Sequence, residues 1–222
     1  MTTIDATARP LLVLGNKNYS SWSLRPWLLL RHFGIGFDED VLPLDTPQFA
    51  GRIAAYSGAA RVPVLVHAGN VVWDSLAICE YASEQFLDGR GWPAAAGLRA
   101  LARSASAEMH SGFMAMRSQL PMSVRRRPNA YRWDSDAQRD LDRVQELWRQ
   151  LRARAGEGPF LLGEFGIVDA MFAPVCVRMR AYGVEPDATA AAFMATIFAL
   201  PAFREWEAAA VAEPAVLAAD ER

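Results

Sequence analysis

An α/β unit followed by an all-α unit is the fold class predicted for this 222-residue chain. Three observations carry that prediction. Apolar runs of strand character alternate with helical patterns as far as residue 86, a Gly- and Pro-rich stretch interrupts them at 87–93, and only helical periodicity follows. The predicted domains are accordingly 1–87 and 94–222. With 52% apolar residues, the chain has ample material for a full core.

Each element has a local reason. Leu11, Leu12, Val13 and Leu14 form a continuous apolar run before Gly15, which marks a buried strand. A helix over 22–33 follows, with Leu24, Trp27, Leu28 and Leu30 among its apolar residues, Gly34 as its stop, and Ser21 or Ser23 as its N-cap. Pro26 has no N–H to give and fits only near the start of that helix. Residues 37–42 read as a short strand, and 49–56 as a short helix within the next connection. Val64, Leu65 and Val66 form a strand after Pro63, residues 68–70 a hairpin turn, and 71–73 the partner strand. Ser75 is the expected N-cap of a third helix that buries Leu76, Ile78, Cys79, Tyr81, Ala82 and Phe86.

Beyond the linker, residues 94–120 predict one long Ala- and Met-rich helix, and Arg125, Arg126, Arg127 and Pro128 a connection. Residues 134–155 have the period of a bundle helix, with Leu141, Val144, Leu147, Trp148 and Leu151 facing inward. A helix apolar nearly all round is predicted over 167–182, and at least two short ones over 190–211, parted at Pro201. No internal repeat is visible.

Composition excludes several functions. The formal net charge is −2 and the cations are almost all Arg, so no basic patch points to nucleic acid or to an anionic membrane. No apolar run is long enough to span a bilayer and residues 1–10 lack a leader pattern, so a cytoplasmic protein is expected. Cys79 and Cys176 lie apart in apolar helical patterns and read as core. His32, His67 and His110 are scattered, no metal-ligand spacing occurs, and no Gly-rich phosphate loop follows a strand. Neither metal nor nucleotide is expected.

The chemistry gathers at residues 16–27, where a strand runs through a hydroxyl-rich turn, Tyr19-Ser20-Ser21-Trp22-Ser23, into a helix N-terminus. Hydroxyls and unpaired backbone N–H groups at one point can hold an anion. Two further motifs stand out. Val62-Pro63 precedes a strand, and Asp74-Ser75-Leu76-Ala77-Ile78-Cys79-Glu80-Tyr81 opens the third helix. Asp74-Ser75 reads equally well as a capping pair and as a binding pair, since a carboxylate and a hydroxyl at a helix N-terminus can together read a zwitterion.

On these motifs, and on the partial match Gly166-Ile167-Val168-Asp169-Ala170, the chain resembles the cytosolic glutathione S-transferases over essentially its whole length. The resemblance implies a thioredoxin-like N-terminal domain followed by a helical bundle. It implies glutathione as cosubstrate, a small hydrophobic electrophile as second substrate, and a homodimer. Carried residue by residue, it implies that Asp74 pairs with the γ-glutamyl ammonium, that Ser75 takes the carboxylate, and that the Val62 backbone, before a cis Pro63, pairs with the cysteinyl part. Arg61 reads as a surface cation by base rate, and as the partner of the glycyl carboxylate within the resemblance.

The same comparison places the sulfur at the turn. Ser20 matches the first serine of the Ser-Ser-Cys motif in zeta-like members and is the expected sulfur donor, with Ser21 next and Tyr19 third. Trp22 stands where those members have a cysteine, which separates this chain from their maleylacetoacetate isomerase activity. It also separates the chain from omega-like and glutaredoxin-like members that form mixed disulfides or reduce peroxides, so conjugation is the favoured reaction. A glutathione-dependent isomerase, a glutathione-dependent disulfide or peroxide reductase, and a non-catalytic binding protein on the same fold are the alternatives. Gly166 replaces the usual Ser or Thr cap of the buried helix. Met109, Phe113 and Met116, with His110, Ser111 and Arg117, are the expected electrophile pocket, although a Met/Phe stripe is more often core or dimer contact.

Overall fold

The computed structural model describes residues 9–218 and 220–221. Residues 1–8, most of the stretch read for a leader pattern, lie outside the described residues. The first half runs β1 (Leu11–Gly15), α1 (Ser21–His32), β2 (Asp38–Leu42), α2 (Pro47–Ala54), β3 (Val64–His67), β4 (Asn70–Trp73) and α3 (Ser75–Phe86). This is the order the sequence predicts. The sheet order is β2-β1-β3-β4, with β1 parallel to β2, antiparallel to β3, and β3 antiparallel to β4.

Period-two alternation sorts the sheet's two faces. Leu12, Leu14 and Leu65 join the large core that includes α1 and α3, while Val13, Val64 and Leu42 pack with Ile53 of α2. The β3–β4 hairpin turns at Ala68 and Gly69, both at positive φ, so Asn70 belongs to the strand and not to the turn.

The second half comprises α4 (Ala96–Ser111), α5 (Met114–Gln119), α6 (Ser135–Arg154), α7 (Ile167–Tyr182), α8 (Ala188–Ala199) and α9 (Pro201–Ala212). One contiguous apolar core runs from β1 and α1 through α7 to α9, with Trp27, Trp148 and Trp206 wholly enclosed. The architecture is a thioredoxin-like domain followed by a helical domain.

Three local expectations are corrected. The predicted helix over 94–120 is broken at Gly112 and Phe113, the latter left-handed at φ 61°, and Gly112 approaches the Glu108 carbonyl too closely for a Cβ. Met109 and Phe113 therefore sit on different elements, and both are buried in the core. Secondly, Ser20 and not Ser21 or Ser23 caps α1, accepting from the Ser23 N–H at 3.3 Å. Pro26 then falls in the second turn of α1 rather than at its start. Thirdly, Asp74 and not Ser75 caps α3, its Oδ1 accepting from Leu76 N and Ala77 N at 2.9 and 3.3 Å.

At the start of α7, Gly166 keeps half of a reciprocal cap: its N–H donates to Asp169 Oδ2 at 2.9 Å, while a hydroxyl for the other half is missing. The reason is steric. A Cβ at residue 166 would meet the Gly91 carbonyl oxygen at 2.9 Å, against which Ile167 N also donates at 2.9 Å. We expect Gly166→Ser to lower stability by about 1 kcal/mol despite adding a capping hydroxyl, because backbone must move. A thermal melt showing stabilisation would contradict this.

Candidate active site at the seam of the two domains

The last strand, the α3 N-terminus, the residue 59–63 segment and the first turn of α1 converge on a cleft of about 490 Å³. Arg61, Val62 and Pro63 form one wall, and Asp74 and Ser75 another. Trp22 and His110 of α4 close the side toward the helical domain. The Val62-Pro63 bond is cis. Pairing of β3 begins at Val64, so the Val62 backbone lies outside the sheet ladder and beside the cleft. Arg61 is exposed and makes no ion pair among the described residues.

Asp74 has two duties. It caps α3 from a backbone at φ 77°, and its Oδ2 lies 3.1 Å from His110 Nε2 across the domain seam. Burial lowers the His110 pKa, opposed by the Asp74 charge, so the neutral ring donating from Nε2 fits this contact. His110 also meets the Trp22 ring edgewise, with centroids 5.3 Å apart. The Arg25 and Arg117 guanidiniums lie 4.3 and 4.8 Å from the same indole centroid. Arg117 additionally donates to the Gly112 and Met109 carbonyls, tying off the end of α4.

The hydroxyls of the turn lie deeper and do not line the cleft. Ser20 Oγ is 2.7 Å from Ser23 Oγ, which accepts from Gly15 N at 3.1 Å. Ser21 Oγ accepts from Arg178 Nη2 of α7 at 3.3 Å. Tyr19 is committed elsewhere: its hydroxyl donates to Glu221 at 2.6 Å and accepts from Arg125 at 2.9 Å. Two backbone donors at the start of the turn are also taken. Lys17 N and Asn18 N donate to the two carboxylate oxygens of Glu213 at 2.7 and 3.1 Å, and Arg125 holds the Glu213 and Ala215 carbonyls. The start of the turn thus holds the chain's own carboxylate, brought from beyond α9.

Of the residues the sequence singles out, the cleft gathers Trp22, Arg61, Val62, Pro63, Asp74, Ser75 and His110. Tyr19, Ser20, Ser21 and Arg117 stand outside its lining, and Met109 and Phe113 are core. Sequence reasoning missed Trp73, which is 55% exposed at the cleft's rim, and Ala59. It also missed Arg25, whose signal was present: a charge inside the run 24–30, every residue of which is buried.

A thioredoxin-like domain joined to a helical domain, with the cleft at their seam, defines the class. Residues 19–85 match the glutathione S-transferase N-terminal domain model and residues 134–209 the C-terminal domain model. The chain belongs to the glutathione S-transferase family. It is 25% identical over 187 residues to the chloroplastic glutathione S-transferase L2 of Arabidopsis thaliana, a match covering 80% of this chain and 59% of that protein. It therefore spans about three fifths of that relative's length. Among solved structures, a glutathione transferase homologue from Burkholderia with bound glutathione superposes with a TM-score of 0.71 at 22% identity, covering 92% of this chain and 99% of the other. The glutathione transferase Omega 3C of Trametes versicolor gives 0.69 at 18% identity, covering 91% and 90%. Both likenesses are of fold.

Proposed function

We propose that this protein is a glutathione transferase that ionises the glutathione thiol for attack on a small hydrophobic electrophile. The observation that carries the reading is the convergence, in one cleft, of three complementary groups: a strand-like backbone at Val62, a helix N-terminus at Asp74-Ser75 and the free cation Arg61. A tripeptide with an amino-acid zwitterion at one end and a carboxylate at the other matches that array. Asp74 takes the ammonium, Ser75 the adjoining carboxylate, Val62 the cysteinyl backbone and Arg61 the glycyl carboxylate.

The thiol end then points toward the start of α1. A free thiol has a pKa near 8.5, and lowering it by two units requires roughly 2.7 kcal/mol, within reach of a charge-assisted hydrogen bond at a helix N-terminus. Ser20 is the proposed donor. With the hydroxyl protons reversed, Ser23 donates to Ser20 Oγ while Gly15 N still donates to Ser23 Oγ, a relay that strengthens Ser20 toward a thiolate. Ser21 is the next choice, since Arg178 supports its oxygen and leaves its proton free. Tyr19 is the third.

The electrophile lies against α4 beside His110 and Arg117. Both cysteines are buried, and burial raises their thiol pKa values, which supports conjugation over disulfide exchange. The homodimer belongs to the same proposal, with Val71 and Trp73 on edge strand β4 exposed to be covered.

Calorimetric titration with glutathione tests the reading. We expect millimolar or tighter binding, weakened about tenfold in Ser75→Ala, the scale of one charge-assisted contact. No binding at millimolar glutathione would overturn it in favour of a non-catalytic scaffold.

A further inference from the structure

On the far side of Ser21 from the cleft, Arg178 of α7 is only 5% exposed. Its Nη2 donates to Ser21 Oγ at 3.3 Å, whereas Nε and Nη1 are buried without a hydrogen-bond partner. Among the described residues no carboxylate forms an ion pair with it. Arg117, whose guanidinium lies over the neighbouring Trp22 ring, adds a second positive charge to the same region. Burial, with Arg117 adding to it, lowers the Arg178 pKa from 12.5 to about 10, opposed by Tyr182 and Asp220. A guanidinium enclosed with two idle donors is costly, and an apolar side chain of similar size would be more stable there.

Carboxylates reach this region from the segment beyond α9. Glu221 accepts from the Tyr19 hydroxyl at 2.6 Å, and Asp220 supplies the favourable charge felt by Arg178. Among the described residues after Glu213 only Leu217 is buried, so little apolar surface holds the segment in place. We propose that Arg178, with the Ser21 hydroxyl, is the carboxylate subsite of the second substrate: the electrophile is a small molecule bearing a carboxylate, and Asp220 and Glu221 are the stand-ins that it displaces. Because Ser21 Oγ accepts from Arg178, its proton remains to be given to the same anion. The apolar body of the electrophile then lies against Trp22 and Arg117, between that anchor and the thiolate. In conjugation the thiolate attacks the carbon that bears the leaving group. The C–S bond forms as the carbon–halogen bond breaks, the halide departs with the bonding pair, the thiol proton passes to solvent, and the carboxylate is unchanged. The proposal rests on the transferase reading above and names the class of its second substrate.

The test sets 4-chloro-3,5-dinitrobenzoate against the corresponding carboxamide, which has the same ring and leaving group but no charge. Each kcat/KM is divided by the rate constant of the uncatalysed reaction with glutathione. Wild type is expected to favour the benzoate by about tenfold, chiefly through KM. Arg178→Met, its folding checked by circular dichroism, is expected to lose that preference while turning over the carboxamide to within about threefold of wild type. The full chain carrying Asp220→Asn and Glu221→Gln is expected to raise the preference by about threefold, since the competing charges are gone. An unchanged preference in Arg178→Met, or an equal loss on both substrates, would make Arg178 a support of the turn and overturn the proposal. If Arg178→Met does not fold, the double variant decides: a raised preference upholds the proposal, and an unchanged or lowered one overturns it. Turnover of both substrates without preference in wild type overturns the carboxylate subsite alone, whereas turnover of neither overturns the transferase reading together with it.

Discussion

Ser20→Ala should lower the rate of conjugation of glutathione with an aryl halide by about 100-fold, the loss typical of removing one pre-placed donor from a developing anion. The variant should also lose about 1 kcal/mol of stability, since Ser20 is the N-cap of α1. The two effects separate cleanly. Assayed well below the melting temperature, the rate loss remains, and it appears as a raised thiol pKa in the pH–rate profile. Ser23→Ala should show a smaller shift in the same direction, because it removes only the relay behind Ser20. An unchanged pH–rate profile in Ser20→Ala would transfer the role to Ser21, whose oxygen is supported by Arg178.

Asp169→Ala should cost roughly 3 kcal/mol in urea unfolding. The Asp169 carboxylate is fully enclosed and accepts from Leu161 N and Gly166 N, both at 2.9 Å. Truncation leaves two buried N–H groups without partners, each worth about 1–3 kcal/mol. Burial also raises its pKa from 3.8 to about 7, against the backbone bonds that favour ionisation. The folded chain therefore holds this proton more tightly than the unfolded chain. The associated stability is complete below pH 3.8 and is lost as the pH rises through about 7. Asp169→Asn should flatten the stability–pH profile between those limits, and an identical profile in wild type and variant would refute this assignment.

The element order was legible because strand alternation, helical periodicity and Gly or Pro punctuation agree along the chain. Helix α7 was read to its ends since Gly166 and Gly183 bracket an unbroken apolar stretch. Cap identity was not legible. Whether Asp74 or Ser75 caps α3 depends on a positive φ at Asp74, which no local propensity demands of that residue. The break at Gly112 was hidden for a similar reason, because Ala- and Met-rich flanks of high helix propensity surround it. Within the site, Trp22, Val62, Pro63, Asp74 and Ser75 could be found because each belongs to a short contiguous motif. Glu213 could not, as its partner Lys17 lies 196 residues away in sequence, and Arg25 showed only as a charge within an apolar run, its partner Ser75 lying 50 residues away.

The core that passes without interruption from β1 through α1 and α7 to α9 has a thermodynamic consequence. The cleft is built mostly from the first half, yet the residues beneath it are shared with the second, down to the bond from Arg25 to the Met171 carbonyl. Opening either half alone would strip apolar surface from both, so the amides of α1 should exchange with solvent only through global unfolding. A ligand held at the α3 N-terminus then protects α7 and α9 by the same free energy with which it protects its own walls. Occupancy of one small cleft becomes a property of the whole molecule's lifetime in its folded form.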